Sequence, residues 1–277
     1  MATSLDSAVV GVVAGAGVLP RLIAEDRRAR GLDHVVIAFE GAAPDWLAAH
    51  PHAVLPFEKP GALFRALRRA GADTVVFAGG MSRPTLQPLR FDLTALRLAP
   101  TILPLLRRGD DALLRGLAAV FEREGFRIVG PHALLEALLA PAGDIAARPA
   151  TAQERADAAR GAELAAAIGA LDVGQAAVVA DGLCLGLETL QGTDALLDFV
   201  AATPHALRRA PGTLYKGPKP GQDWRVDLPA VGPETMRRAA RAGLSAVALR
   251  AGGVLVLGLE ATRAEADRAG LALFGLD

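Results

Sequence analysis

Residues 9–14 form an unbroken, mostly β-branched apolar run that stops at Gly15-Ala16-Gly17. Residues 19–30 then carry apolar positions at helical spacing and end at Gly31, and residues 35–39 are a second apolar run closed by Glu40. Strand, glycine turn, helix, strand is the pattern of a βαβ unit, with parallel strands and a right-handed crossover. The pattern recurs. Residues 62–70 are helical in period, Gly71 ends them, and Thr74–Ala78 is a third strand running into Gly79-Gly80. Asp110 or Asp111 can cap a helix over 112–124, and 126–129 follows as a strand. The first half therefore predicts an open, Rossmann-like parallel sheet with helices on both faces.

The second half has a different rhythm. Residues 139–149 are rich in Ala, Pro and Gly and predict a linker, followed by an Ala-rich helix over 153–169. Ala176–Ala180 and Leu183–Leu187 flank Asp181-Gly182, a type I′ hairpin signal. Gly192-Thr193-Asp194 offers a cap for a helix over 195–202, and residues 213–215 and 224–226 read as short strands. Helix 234–242, strands 246–249 and 254–257 and helix 262–269 complete a mixed-sheet α/β domain. The expected division is an N-terminal domain over 1–138, a linker over 139–149 and a C-terminal domain over 150–277.

Composition narrows the class. A chain of 277 residues, 52% hydrophobic and 22% charged, is that of a globular protein, and thirty basic residues balance thirty acidic ones. That balance gives no sign of a nucleic-acid partner. The single cysteine, Cys184, excludes an intramolecular disulfide and any Cys-cluster zinc site, and reads as a small buried hydrophobe. The apolar N-terminal run is about ten residues long, too short to span a bilayer, and lacks a cationic leader, so a cytoplasmic protein with no transmembrane segment is expected.

Four patches can carry chemistry. Gly15-Ala16-Gly17-Val18-Leu19-Pro20 places glycines between a strand and a helix, where N–H groups favour an anion; Pro20 stands where a dinucleotide fingerprint has its third glycine. Glu40 stands roughly where a ribose-binding acid would. Gly79-Gly80-Met81-Ser82-Arg83-Pro84 opens at the carboxyl end of another strand, and Arg83 can fork onto a phosphate. Asp110-Asp111 is a cap before it is a metal site. The fourth patch is residues 215–229, YKGPKPGQDWRVDLP, which holds two of the three lysines in the chain. Lysine ammonium groups suit phosphate oxygens, and aspartates supply hard oxygen ligands for Mg²⁺. As a strand, 223–227 would put Asp223, Arg225 and Asp227 on one face. Such a set suits a diphosphate and a divalent ion; a solvated charged hairpin is the plainer alternative.

The four patches, in this order, resemble the UDP-2,3-diacylglucosamine pyrophosphatases of the LpxI type. The first half carries the resemblance in Gly15–Pro20, in Phe77-Ala78-Gly79 with Ser82-Arg83-Pro84, and in the Gly109–Arg115 stretch. In the second half it rests on Asp172-Val173-Gly174-Gln175, Glu188 with Gly192-Thr193-Asp194, Lys216-x-Pro218-Lys219-Pro220-x-Gln222, Arg225-Val226-Asp227-Leu228-Pro229 with Gly232, and Arg238–Leu244. The resemblance implies a two-domain, homodimeric hydrolase of lipid A biosynthesis. With Mg²⁺ or another divalent cation, it would split UDP-2,3-diacylglucosamine into UMP and 2,3-diacylglucosamine 1-phosphate (lipid X). Asp227 would be the catalytic, metal-associated carboxylate, with Lys216 and Lys219 stabilising charge and Glu188 a second ligand or base. Gly15, Gly17, Leu19, Gly79, Ser82, Arg83, Gln175, Glu188, Thr193, Asp194 and Arg225 would bind substrate. A diacylated substrate also implies transient contact with the inner-membrane surface. Ala16 departs from the family's common third glycine. Two alternatives stay open on the residues alone: a nicotinamide-dependent Rossmann oxidoreductase resting on Gly15, Gly17 and Glu40, and a non-catalytic nucleotide-sensing protein.

Overall fold

The computed structural model describes residues 5–41, 43–80, 87–105, 110–208 and 210–277. The chain forms two compact units, Met1–Glu136 with Asp223–Asp227, and Ala137–Gln222 with Leu228–Asp277.

In the first unit, β1 (Val10–Ala14), α1 (Leu19–Ala29), β2 (His34–Phe39), β3 (His52–Leu55), α2 (Pro60–Arg69), β4 (Thr74–Ala78), α3 (Leu93–Ile102), α4 (Asp110–Arg123), β5 (Arg127–Val129) and the single turn α5 (Pro131–Leu134) follow one another. The five strands form one parallel sheet in the order β3-β2-β1-β4-β5. Every residue of β1 and β2 is buried, as in a parallel sheet covered on both faces. Leu63, Phe64 and Leu67 of α2 meet Ala118 and Phe121 of α4 over Val13, Ile37 and Val75. The sheet order reverses on either side of β1, so the switch point lies where β1 and β4 end.

In the second unit come β6 (Gly143–Asp144), α6 (Ala152–Ala170), β7 (Ala176–Ala180), β8 (Leu183–Leu187), α7 (Gly192–Ala201), β9 (Gly212–Lys216), β10 (Ala230–Val231), α8 (Pro233–Arg241), β11 (Leu244–Arg250), β12 (Leu255–Val256), α9 (Leu259–Arg268) and β13 (Ala272–Leu276). The main sheet runs β6-β13-β11-β9-β7-β8, with β9, β11 and β13 parallel and β6, β7 and β8 antiparallel to their neighbours. Leu196, Leu197 and Val200 of α7, with Met236 and Ala239 of α8, cover one face. Helix α6 covers the other with small residues: Ala158 and Ala165 pack with Tyr215, Ala246 and Phe274. A Cβ on Gly161 would stand 2.8 Å from the Tyr215 Cβ, so glycine there sets how closely α6 approaches β9.

The two-domain mixed α/β architecture agrees with the expected fold class, and four local expectations are corrected. The stretch 139–149 is not a free linker: β6 pairs with β13, and the Ala140 N–H donates to the Val254 carbonyl at 2.8 Å. Its Pro and Gly mark an irregular path, not an unattached one. Residues 224–226 are a turn, not a strand, because the Asp223 carbonyl accepts from the N–H groups of Val226 (3.0 Å) and Asp227 (3.2 Å). Asp223, Arg225 and Asp227 therefore do not line one strand face. Asp227, expected within a 150–277 domain, clusters with the first unit. Finally, Cys184 is exposed on β8 and is not a buried hydrophobe; in addition, β3, α3 and β13 are elements that the sequence pattern did not announce. The Asp181-Gly182 hairpin forms as expected, with φ of 49° and 78° at its two central residues.

Candidate active site

In the first unit the two glycine turns meet each other. The Ala16 N–H donates to the Gly80 carbonyl at 2.7 Å and the Gly80 N–H returns to the Ala16 carbonyl at 3.0 Å. A Cβ on Gly15 would collide with the Gly80 carbonyl, and one on Gly79 with the Ala16 carbonyl. Both glycines are thus accounted for by backbone meeting backbone at the switch point. Gly17 is different: its φ is 94° and nothing stands within 4 Å of the place its Cβ would take. Leu19 is buried. Glu40 accepts from Arg90 at 2.5 Å, which ties it to the stretch preceding α3 and removes the main support for a ribose-binding acid. Ser82 and Arg83 lie outside the described residues, as do Arg107, Arg108 and Gly109.

The second unit gathers the lysine chemistry. Lys216 is the last residue of β9 and is only 8% exposed. Its Nζ donates to Thr193 Oγ1 at 2.8 Å and to the Ala230 carbonyl at 3.0 Å. The Thr193 hydroxyl in turn donates to Glu188 Oε2 at 2.6 Å, and Glu188 is buried as well. The Gly192-Thr193-Asp194 triplet, expected to cap a helix over 195–202, lies inside α7, which begins at Gly192, and the Thr193 hydroxyl links the ammonium and the carboxylate. A buried cation and a buried anion are tolerable only when so connected.

Lys219 lies close by in sequence and has a partner of its own, Asp172 Oδ1 at 2.6 Å. Its backbone N–H donates to Gln222 Oε1 at 2.8 Å, which fixes the loop. Gly169 permits this path, because a Cβ there would stand 3.0 Å from the Pro220 Cδ and 3.3 Å from the Lys219 Cα. The Gln175 carbonyl accepts from the Gly217 N–H at 3.1 Å, while its buried side-chain Oε1 has no hydrogen-bond partner. An orphaned acceptor beside the lysine strand is what a ligand donor would satisfy. Asp194, by contrast, is exposed and pairs with Arg238 Nε at 3.4 Å, a contact that staples α7 to α8.

The segment Asp223–Asp227 is pinned within the first unit. Val226 is buried among Phe64, Phe121 and Phe126, and the Trp224 ring stands edge-on to His132 with centroids 6.4 Å apart. Arg225, expected to bind substrate, is already occupied: its guanidinium forks onto Asp223 at 2.7 Å and reaches Glu122 at 2.8 Å. The Asp223 carboxylate raises the Arg225 pKa, and Arg225 lowers that of Asp223. Asp227 follows, half-buried, with its backbone anchored by the turn. Sequence reasoning gave Asp172 no role, although it stands in one of the quoted motifs; only folding shows it as the counter-ion of Lys219.

Among the described residues no group of three or more His, Cys, Asp or Glu side chains stands ready to hold a metal ion. A site built on one carboxylate would depend on water and substrate phosphate oxygens for the rest of a Mg²⁺ shell.

Two α/β units, one a parallel sheet with glycine turns at its switch point and the other a mixed sheet ending in a buried lysine, define the class. Residues 9–138 match the LpxI N-terminal domain and residues 141–274 the LpxI C-terminal domain. The chain is also similar to UDP-2,3-diacylglucosamine pyrophosphatase LpxI of Caulobacter vibrioides, 41% identical over 272 residues that make up 97% of each protein. The chain belongs to the LpxI family.

Proposed function

We propose that this protein hydrolyses the diphosphate of UDP-2,3-diacylglucosamine to UMP and 2,3-diacylglucosamine 1-phosphate, in lipid A biosynthesis. One observation carries the reading: 41% identity, over 97% of both chains, to a protein that bears that activity in its name. Loss of the Glu40 and glycine arguments counts against a dinucleotide enzyme.

Cleavage adds water at the sugar-side phosphorus and breaks its bond to the bridging oxygen, which leaves with UMP. Such a reaction asks the protein chiefly for positioning and charge neutralisation. A divalent cation, with Asp227 as its protein carboxylate, would supply charge neutralisation at the phosphate oxygens and acidify a water. Lys216 brings a positive charge whose direction is fixed by Thr193 and Ala230, so little reorganisation accompanies the build-up of negative charge. Lys219 can exchange Asp172 for a phosphate oxygen, because that pair is not fully buried. Gln175 offers its Oε1 to a ligand hydroxyl or N–H.

The test is direct. Purified protein incubated with UDP-2,3-diacylglucosamine and Mg²⁺ releases UMP, and Asp227→Ala stops that release while the circular dichroism spectrum and Tm stay close to those of the parent. Full turnover by Asp227→Ala would remove Asp227 from the site; no turnover by the parent under any divalent ion would favour a nucleotide-sensing role.

A further inference from the structure

Helix α3 presents an apolar stripe to the outside. Leu93, Leu96 and Pro100 within it, and Leu103 at its end, follow one another at intervals of three and four, which on a helix fall along one line, and Leu89 stands on the short turn just before it. All five are exposed; Leu93 is 85% so and Leu89 entirely. No residue of α3 is fully buried, and only Leu98 and Ile102 lean on the core from its inner side.

This is not a loosely attached segment. Asp92 caps α3 by accepting from the Ala95 N–H at 2.7 Å, and its other oxygen accepts from Gly61 at the start of α2, at 2.9 Å. Glu124 beyond α4 receives both Arg97 of α3 and Arg68 of α2. A helix fixed at both levels still turns leucines outward, which is costly in water unless something covers them.

The charges around the stripe say what kind of cover. From residue 88 to 103 the charged side chains are Arg90, Asp92 and Arg97. The carboxylate of Asp92 is consumed by backbone N–H groups, and Arg90, Arg97 and the neighbouring Arg68 outnumber the Glu40 and Glu124 carboxylates that they meet. The Arg90–Glu40 bridge is exposed, weak and readily traded for a lipid phosphate, and the exposed Arg97 can turn to another while Arg68 stays on Glu124. Leucines on one line with arginines beside them match an anionic bilayer: acyl chains below, phosphates at the rim.

We infer that α3, through Leu89, Leu93, Leu96 and Leu103 with Arg90 and Arg97, docks the protein on an anionic phospholipid surface, where a diacylated substrate is presented. The inference rests on the lipid-linked substrate proposed above for its purpose, but its test does not require turnover.

The full-length protein is floated with vesicles of phosphatidylglycerol and phosphatidylethanolamine, with phosphatidylcholine vesicles as the neutral arm, and hydrolysis is assayed separately on detergent-dispersed substrate. The parent should float with anionic vesicles and at least tenfold less with neutral ones; Leu93→Glu/Leu96→Glu should lower anionic binding at least tenfold and keep its detergent-phase turnover. Leu89→Ser, at a wholly exposed position, guards against a folding artefact and should weaken binding in the same direction. No flotation of the parent, or equal flotation of parent and double variant, overturns the inference and leaves the proposed hydrolysis untouched. Conversion of a dimer to a monomer by the double variant, seen by light scattering, also overturns it, since the stripe is then an interface between copies. Flotation without turnover by the parent in detergent would sink the proposed hydrolysis and leave the docking surface standing.

Discussion

The Glu188–Thr193–Lys216 link is where single atoms matter most. The Thr193 hydroxyl accepts from an ammonium and donates to a carboxylate, both buried, so removing it strips one partner from each. Thr193→Val, nearly the same shape, should cost about 2 kcal/mol by leaving charged groups under-satisfied. In a chain of this size that is a fall in Tm of roughly 4–8 °C, and Thr193→Ser should restore most of it. Lys216→Met keeps the length and removes the charge; UMP release should fall about a hundredfold or more, as when one preorganised donor is deleted. Equal turnover by Lys216→Met and the parent would show the lysine to be structural. These residues were legible because lysine is so scarce here and because Glu188 and Thr193 sit in quoted motifs. The Asp172 counter-ion and the Arg225–Glu122 pair were not, since they join positions 47 and 103 residues apart and leave no periodic trace.

At the scale of elements, α6 shows how packing reaches the site. Replacing Gly161 with alanine favours the helix by about 1 kcal/mol, yet the new methyl would press on the Tyr215 Cβ, close to the β9 backbone, and overpacking of that kind costs about 1–3 kcal/mol. The clash should win. Gly161→Ala is expected to lower Tm and, because Tyr215 adjoins Lys216 on β9, to lower turnover out of proportion to the lost stability; a raised Tm would mean that α6 yields more easily than the packing suggests. The same logic separates readable elements from unreadable ones. β1, β2 and β4 are apolar runs bounded by glycines, so their pattern alone defines them. The four-residue β3 and the two-residue β6 have no such pattern, and exist because a neighbour offers its edge. Residues 224–226 alternate as a strand does, but Asp223 closes a turn and overrides the alternation.

For the whole molecule, thirty acidic and thirty basic residues cancel at neutral pH, so the first losses on acidification come from individual groups, before protonated carboxylates leave the basic residues to repel one another. Two windows follow. Burial, and then the neighbouring His34, lowers the His50 pKa below 6.5. The folded state thus resists a proton that the unfolded chain accepts, and stability declines as pH falls from 6.5 through the folded value. His34 Nε2 and His50 Nδ1 stand 3.0 Å apart, where one proton can be shared and two cannot. The second window belongs to Glu154. Burial works to raise its pKa, but the Arg148 fork at 2.8 and 3.2 Å and the Thr151 N–H at 2.8 Å outweigh it and hold the carboxyl at about 2, against 4.5 for the free group. A lowered carboxyl contributes stability that is complete above the unfolded pKa and is lost as pH falls towards the folded one, here worth about 3 kcal/mol. A plot of Tm against pH should therefore descend in two steps, one beginning near pH 6.5 and one below pH 4.5. Glu154→Gln, which keeps the cap geometry but loses the charge, should lower Tm at pH 7 and remove much of the lower step while sparing the upper one. His50→Gln should do the reverse, so a single step that neither substitution changes would mean that acid unfolds the protein through other groups.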